Sequence, residues 1–446
     1  MKVYTIFYKG TDSRYGYESS QVSRQKIFDK LGIQHTLVLG LPLPYPNWRE
    51  RMENIGYSNY ISTCNMYSDI ANDDLSLTFE DYKKDKNIEI VEENNEYLKI
   101  IEDSQEKTIY LTKEEAISHI EDDENIYFYT SDLYLKKEKS TANLYWYNKD
   151  KSLALRGEPG IKADYIFYDK ENNRIGNTDT LMRIFLTKNL ENNDVLIYDP
   201  LFNIAGDLKR FLRMKRIRTY QVIHYNILDP QFSHMIPALK PWLKYIAASE
   251  KLVQPLRNVG IDIDFLPPMH TEKIVEKKHY ASITNYCLVG SYSYIKRIEM
   301  AVGAFANLEK QGIDVNLTIY GGDKEDIEDF KKENYIPGNV KFVERVDRVP
   351  YEKHQAYLSC SQSECFANAM VEASSHSLAI LASNVDLAHR HYASLSENLK
   401  LFDKLEDLVA LIQDLVKNGA NSATEIAENY TQEKVEEMYK KLFVRS

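Results

Sequence analysis

The pattern of short apolar runs changes twice along the chain, and these changes constrain the fold more than any other feature. Residues 2–39 alternate as strand, loop, helix and strand, which favours a parallel sheet. From about Asp73 the runs become short and alternating, with charged turns such as 93–96 between them, as in an antiparallel meander. Strand and helix alternate again from Asp194, and a second such series begins at Tyr286, after Pro267 and Pro268. In this second series we predict helices over 295–310 and 351–357.

These changes predict an α/β protein with two Rossmann-like domains facing a cleft and an antiparallel β-meander inserted in the first. The length of 446 residues allows roughly three domain-sized units. The predicted segments are 1–72 with 160–270 for the N-terminal domain, 73–159 for the insertion, 280–428 for the C-terminal domain, and 429–446 for a last helix that can cross back to the N-terminal domain. Ligands of open α/β sheets bind beyond the carboxyl ends of the strands, so we searched those ends for reactive residues.

Composition narrows the class of protein. Hydrophobic residues make up 43% and charged residues 28%, an ordinary soluble balance, and no apolar run reaches the ~18 residues of a membrane span. The first apolar run is too short for a signal peptide, so we predict a cytoplasmic protein. The net charge of −11 disfavours a general polyanion binder. No metal site is predicted, because Cys64, Cys287, Cys360 and Cys365 lack metal-ligand spacing and 389–391 lacks carboxylate partners.

The most informative motif is a pair of carboxylates, Glu364 and Glu372, where an apolar strand passes into a helix. On one helix they would lie about 12 Å apart along the axis, a separation that suits a nucleotide-sugar. The amides of Cys365, Phe366 and Ala367 would face phosphate or hydroxyl oxygens at the helix start. The alternative is that Glu364 only compensates the helix dipole and Glu372 lies on the surface.

A second cluster, at 290–297, places Gly290 at a strand end and the basic pair Lys296 and Arg297 at the start of the next helix. A cation there can stabilise the charge that develops on a diphosphate leaving group. Arg297 would be a second cation. A solvated helix start is the alternative.

Further candidates come from the first half of the chain. His224 ends a predicted strand and would point into the cleft, although a structural histidine explains it as well. Gly16 can approach a ligand closely, but most such glycines only form turns. The basic run 209–218 could bind a polyanionic acceptor or a membrane surface, or it could be the basic end of a helix. We expect 321–323 to form only a turn.

Together these motifs resemble the donor domain of family 4 glycosyltransferases, which are retaining enzymes of the GT-B fold. The resemblance is carried over about 286–386 by Gly290, Lys296, 320–322, 340–342 and the two glutamates. The N-terminal half, through 16–18, Gln21, the insertion and 222–224, resembles a narrower group. That group contains the bacterial transferases that add N-acetylglucosamine to serine-rich adhesins and the poly(glycerol-phosphate) glucosyltransferases.

The resemblance implies a role for each matching residue. Lys296 would hold the donor diphosphate, Glu364 the donor sugar and Glu372 the ribose, while His224 would reach the transferred sugar. Gly16 would line the donor phosphates, and the shape around Ala367 and Asn368 would select the sugar. The co-substrate would be a UDP-sugar carrying N-acetylglucosamine or glucose, and neither a cofactor nor a metal is expected.

The sequence departs from this family at two places and leaves the acceptor open. Ser291 stands where an arginine is usual, and Cys365-Phe366-Ala367 stands where Gly-Phe-Gly is usual. The predicted acceptor is Ser/Thr of a bacterial surface adhesin, with transfer in the cytoplasm or at the inner membrane face. The alternatives are a non-catalytic GT-B subunit that stabilises a partner glycosyltransferase and binds the acceptor protein, and a teichoic acid polyol glycosyltransferase. No nucleic-acid partner is expected.

Overall fold

A computed structural model describes most of the chain, in two compact units. The described residues are 1–7, 16–40, 48–63, 78–84, 86–94, 97–111, 117–128, 135–148, 150, 152–158, 164–199, 206–228, 233–240, 242–346, 348–385 and 387–444. The first unit is Met1–Arg14 with Phe28–Thr219, and the second is Tyr15–Ile27 with Tyr220–Ser446. Within these ranges no helix has both the length and the apolar character needed to cross a bilayer.

The chain begins with β1 (Lys2–Phe7), α1 (Gly16–Lys30), β2 (Gln34–Leu39), α2 (Trp48–Ile55), β3 (Tyr60–Ser62) and α3 (Phe79–Lys83). The inserted strands are β4 (Ile88–Glu93), β5 (Tyr97–Glu102), β6 (Gln105–Leu111), β7 (Ile117–Glu121), β8 (Asn125–Phe128), β9 (Leu135–Glu138), β10 (Leu144–Tyr147), β11 (Leu153–Glu158), β12 (Asp164–Tyr168) and β13 (Arg174–Asn177). They form one ten-stranded antiparallel sheet in which each strand pairs with its neighbours in sequence.

Alternation fixes which face of the inserted sheet is buried. In β5, Leu98 and Ile100 are buried and pack with Ile109 and Ile120 from the neighbouring strands and with Tyr82 of α3. Because side chains alternate between the two faces of a strand, a single register places this apolar set on one side. The predicted meander is therefore present, and it continues to Asn177.

Glu102 is a buried carboxylate in this sheet, and its charge is compensated. Tyr82 donates a hydrogen bond to it at 2.5 Å, and the ammonium groups of Lys86 and Lys107 lie at 2.8 and 2.7 Å. Burial raises its pKa, but Lys107, Lys86 and Tyr82 outweigh burial and lower the pKa to about 2. The ionised form therefore stabilises the sheet at neutral pH.

Glu102→Gln is expected to lower the free energy of unfolding by about 2 kcal/mol at pH 7. The stabilisation is fully present above the pKa of the unfolded state and is lost as pH falls towards about 2, so the two proteins should converge in acid. Urea unfolding between pH 7 and pH 2.5 measures this difference. A gap that stays constant with pH would show that the charge of Glu102 does not contribute.

After the insertion come α4 (Thr178–Asn189), β14 (Val195–Tyr198), α5 (Gly206–Met214), β15 (Arg218–Ile223), β16 (Lys244–Ala247), α6 (Val253–Asn258) and β17 (Asp262–Phe265). In the first unit β14, β1, β2 and β3 are parallel neighbours in that order. Their apolar side chains pack against Met182, Phe185 and Leu186 of α4. In the second unit β15, β16 and β17 are parallel neighbours.

The rest of the second unit carries β18 (His279–Tyr280), β19 (Asn285–Val289), α7 (Ile298–Lys310), β20 (Asn316–Tyr320), α8 (Lys324–Glu333), β21 (Val340–Val343), β22 (Ala356–Ser359), α9 (Asn368–Ser375), β23 (Ala379–Ser383), α10 (Leu387–Leu395), β24 (Leu399–Phe402), α11 (Leu405–Asn418), β25 (Ala420–Asn421), α12 (Glu425–Glu428) and α13 (Gln432–Phe443). Six strands form a parallel sheet in the order β21-β20-β19-β22-β23-β24. Its central strands β22 and β23 are buried along their whole length, as expected of a sheet covered by helices.

The predicted α/β class, with parallel sheets and an antiparallel insertion, is confirmed, and two local predictions are wrong. The predicted helix over 351–357 is a 3₁₀ turn at Tyr351–Lys353 followed by β22. The helix predicted from Ile295 begins at Ile298, because Arg297 adopts the left-handed conformation with φ 47°. The domain boundaries remain predictions.

Candidate active site

Two strands of the six-stranded sheet end close together and carry the candidate residues. Gly290 follows β19, and a Cβ on Gly321, after β20, would lie 2.0 Å from the Gly290 carbonyl oxygen. Gly321 also has φ +139°, which favours glycine. The turn at 321–323 therefore packs directly against the end of β19, a close approach that the sequence did not indicate.

Lys296 and Glu364 form an ion pair beside these strand ends. Lys296 closes a 3₁₀ turn after β19, and Glu364 lies in the loop between β22 and α9. Their side chains are 27% and 18% exposed, so the pair is largely shielded from water but reachable. The Ser361 hydroxyl donates a further hydrogen bond to Glu364 Oε1 at 2.9 Å.

The Lys296 ammonium stabilises the ionised form of Glu364. Burial raises the pKa of Glu364, but the Lys296 ammonium and the Ser361 hydroxyl together hold that pKa below its ordinary value. Glu364 is therefore an ionised hydrogen-bond acceptor at neutral pH and not a general acid. Lys296 keeps a cation at the carboxyl end of β19.

Arg297 directly precedes α7 and links the start of this helix to the end of β22. Its Nε donates to the carbonyl oxygen of Cys360 at 2.7 Å, directly after β22. In the part of the chain that the structure describes, its Nη2 is buried and has no hydrogen-bond partner. The predicted role of Arg297 as a second donor cation stays a prediction, while its observed contact is structural.

The loop after Glu364 meets the end of β15. Cys365 Sγ lies 3.9 Å from the carbonyl oxygen of Ile223, the residue before His224. The fold therefore places the predicted His224 next to the Glu364 loop, within the second unit. Tyr392 donates a hydrogen bond to the carbonyl oxygen of Phe366, and the Phe366 ring lies 4.9 Å from that of Tyr430.

Ala367 precedes α9 in the left-handed conformation, with φ 55°. Among the described residues no acceptor is paired with the amides of Phe366, Ala367 and Asn368, at the amino end of this helix. Unpaired amides at a helix start suit an anionic or hydroxylated ligand. The amides predicted to face the donor therefore lie at the helix start without an acceptor among the described residues. That a donor binds them stays a prediction.

Ala367→Gly is expected to raise the free energy of unfolding by about 1 kcal/mol, because an L side chain is disfavoured at this φ. Thermal and urea unfolding measure the change. Ala369→Gly, inside the first turn of α9, is the matched control and should destabilise by a similar amount. Equal destabilisation by both changes would contradict the strain assigned to Ala367.

Glu372 lies in the second turn of α9 and is fixed by a buried tyrosine. Tyr351 donates a hydrogen bond to Glu372 Oε2 at 2.9 Å, and its ring stacks at a tilt against His376. Burial, then the Glu372 charge, raises the pKa of Tyr351, so the tyrosine stays a donor. This partner could not be predicted, because Tyr351 is far from Glu372 in the chain.

Three outcomes follow for the predicted site residues. Lys296 and Glu364 are in contact, and Gly290, Arg297, Cys365 and His224 lie around them. Gly16 begins α1, and its proximity to the donor phosphates stays a prediction. Ser361 and the buried residues beneath the loop were missed, since a serine three residues from a carboxylate has no distinctive pattern.

The segment that carries this geometry is similar to a known protein family. Residues 272–433 match the family model of glycosyl transferases group 1. The matched segment contains the whole six-stranded sheet together with Lys296, Glu364 and Glu372. No curated protein matches the chain significantly by sequence.

Solved structures extend the similarity beyond residues 272–433 to nearly the whole chain. The pneumococcal O-GlcNAc transferase GtfA, in complex with UDP and GlcNAc, is 16% identical with a TM-score of 0.78, over 99% of this chain and 98% of that one. A chain of a GtfA/B complex is 18% identical with a TM-score of 0.74, over 99% of each chain. S. aureus TarM, with fondaparinux, alpha-GlcNAc-glycerol and UDP, gives 15% and 0.73, over all of both chains. The predicted resemblance to GT-B glycosyltransferases is thus confirmed at the level of the fold.

Proposed function

We propose that this protein is a retaining hexosyltransferase that moves N-acetylglucosamine or glucose from a UDP-sugar to a cytoplasmic acceptor. The observation that carries the proposal is the shielded Lys296–Glu364 ion pair at the ends of β19 and β22, with His224 on the facing strand end. A cation and an ionised acceptor side by side suit a ligand with a diphosphate next to a sugar hydroxyl. The match of residues 272–433 to group 1 supports this assignment.

The proposed roles follow the chemistry of each side chain. Lys296 balances the charge that grows on the diphosphate as the glycosidic bond breaks. Glu364 accepts hydrogen bonds from sugar hydroxyls, and Glu372, fixed by Tyr351, accepts from the ribose. Gly16, Gly290 and the amides of 365–368 would approach the donor closely, and His224 would hydrogen-bond the transferred sugar.

The reaction proposed is front-face substitution without a metal or cofactor. The anomeric carbon loses its bond to the diphosphate oxygen and gains one to the acceptor oxygen on the same face. The departing diphosphate takes the proton of the acceptor hydroxyl, so no side chain has to titrate. This agrees with a Glu364 that stays ionised.

The test is a UDP binding isotherm together with UDP-sugar hydrolysis by the purified protein. We expect saturable UDP binding and slow release of free sugar from UDP-GlcNAc or UDP-glucose. Failure to bind UDP at millimolar concentration, by a folded protein, would refute a catalytic role. Transfer to a serine- and threonine-rich adhesin peptide, compared with its alanine version, tests the proposed acceptor.

The second candidate is a non-catalytic subunit that stabilises a partner glycosyltransferase and binds the acceptor protein. Two left-handed positions favour it, because Arg297 and Ala367 carry side chains where glycine would bring the backbone closest to a ligand. Ser291 has its hydroxyl 3.3 Å from that of Ser293 and supplies no charge at the strand end. Co-purification with a second transferase, without UDP binding, would favour this candidate.

A third candidate makes the acceptor a teichoic acid polyol at the inner membrane face. The basic end of α5 supports it, since Arg210, Arg213, Lys215 and Arg216 are exposed and form no ion pair within the described residues. Docking of a polyanion through this segment should weaken steeply between 50 and 300 mM salt, because the Debye length shortens as salt rises and the charges are screened. A rate of transfer to poly(glycerol phosphate) that does not change with ionic strength would exclude such docking.

A further inference from the structure

We propose that buried His389 is a positioning residue for Glu364 and acts through Ser383 and Ser361. The inference rests on the proposed function and adds to it residues that lie beneath the ion pair. By sequence alone, His389 is only one residue of 389–391, which lacks the partners of a metal site. The structure shows it instead at the base of a chain of hydrogen bonds.

His389 joins the carboxyl ends of two neighbouring strands. It is fully buried on α10, with Nδ1 at 2.9 Å from the carbonyl oxygen of Ser383, the last residue of β23. Its Nε2 lies 3.2 Å from the hydroxyl of Ser359, the last residue of β22. β22 and β23 are parallel neighbours, so the imidazole spans the edge from which the Glu364 loop departs.

These partners define one tautomer. The Ser383 carbonyl can only accept, so Nδ1 carries the proton and donates it there. Nε2 is then the acceptor for the Ser359 hydroxyl. Glu364 raises the pKa of His389, but burial dominates and lowers it, with Lys296 and Arg297 acting in the same direction as burial. His389 therefore stays neutral, and the tautomer is fixed.

The chain of hydrogen bonds continues from Ser383 to the carboxylate. The Ser383 hydroxyl donates to the carbonyl oxygen of Ser361, which fixes the first residue of the loop. The Ser361 hydroxyl then donates to Glu364 Oε1 at 2.9 Å. His389 thus never touches Glu364 directly, but it holds the strand end from which Ser361 orients Glu364 towards Lys296. Buried, fully partnered networks of this kind hold reactive side chains in one geometry.

His389→Phe keeps the ring volume and removes the hydrogen bonds of the imidazole to Ser359 and Ser383. We expect kcat for UDP-sugar hydrolysis to fall about tenfold while KM changes less than about twofold, the loss matching one buried hydrogen bond. His389→Asn, whose amide nitrogen can replace Nδ1 as donor to Ser383, should recover much of kcat. In a Glu364→Gln background, His389→Phe should add less than about a further twofold, because both changes act on the same group.

The control is His354→Phe. His354 is another buried histidine, which precedes the amino end of β22 and is hydrogen-bonded to Tyr320 at 2.9 Å. The variant should cost stability and leave kcat within about twofold. Unchanged kcat in His389→Phe, or losses that multiply in full with Glu364→Gln, would overturn the proposal. If His389→Phe does not fold, Ser383→Ala and Ser361→Ala carry the same test.

A spectroscopic measurement separates this inference from the proposed function. Imidazole ¹⁵N shifts of the full-length protein should show a neutral Nδ1–H tautomer for His389 from pH 6 to pH 8. A protonated ring or an Nε2–H tautomer would contradict the network even if the enzyme is active. No turnover by wild type with the expected tautomer would refute the function and leave the hydrogen-bond network intact.

Discussion

Glu364→Gln is expected to reduce sugar transfer at least about 100-fold, the usual effect of removing one preorganised electrostatic contact in an active site. The amide keeps the shape of the side chain, but it removes the negative charge that faces Lys296. In the proposed scheme the same charge faces the donor sugar. UDP binding should persist, because the amide does not contact the nucleotide in the proposed scheme. Steady-state hydrolysis and a UDP isotherm measure the two effects separately.

Two matched variants make this result specific. Glu372→Gln should mainly weaken UDP binding, since Glu372 is assigned to the ribose and is held by Tyr351. Glu352→Gln, on an exposed residue of the 3₁₀ turn, should change neither quantity. Equal turnover in wild type and Glu364→Gln would remove Glu364 from the mechanism.

Lys296→Met is expected to lower both activity and stability. Activity should fall at least about 100-fold, because the leaving diphosphate loses its cation. The free energy of unfolding should fall by about 3 kcal/mol at neutral pH, since Glu364 would keep a shielded charge without its partner. Urea unfolding and UDP-sugar hydrolysis on the same preparation measure both changes.

The pH dependence of this loss has a definite sign. In wild type the depressed pKa of Glu364 gives stability that is present above the unfolded-state pKa and is lost as pH falls through the folded value. Without Lys296 burial dominates and Glu364 protonates readily, so the stability difference should shrink in acid. Lys331→Met, which breaks the exposed pair with Glu328 at 3.0 Å, should cost less than about 1 kcal/mol. A Lys296→Met loss as small as that control would contradict a shielded pair.

Much of the fold could be predicted, because the hydrophobic pattern carries it. Buried runs such as 286–289 and alternating ones such as 97–101 gave the correct element types. The missed strands are short or polar, as in β9, whose residues Leu135–Glu138 include two lysines. The false helix over 351–357 arose because Tyr351 and Tyr357 are both buried, although one belongs to a turn and the other to β22.

Only those features of the site that follow from the positions of the strand ends could be predicted. Lys296 and Glu364 follow neighbouring strands, so their proximity could be anticipated from topology. The hydrogen bonds that orient them could not, because Ser361, Ser383 and His389 become neighbours only when α10 packs against the sheet. The left-handed conformation of Arg297 was hidden as well, because arginine does not favour it.

The last helix has a consequence for the order in which the chain matures. Phe443 of α13 is fully buried, and its ring lies 5.4 Å from that of Tyr220 at the start of β15. On the ribosome, β15 is made more than 200 residues before the residue that covers it. During that interval, at roughly 5–20 residues per second, Tyr220 stays uncovered for many seconds. Nascent chains should therefore need protection from aggregation until α13 has been made, and removal of α13 should prolong that exposure indefinitely.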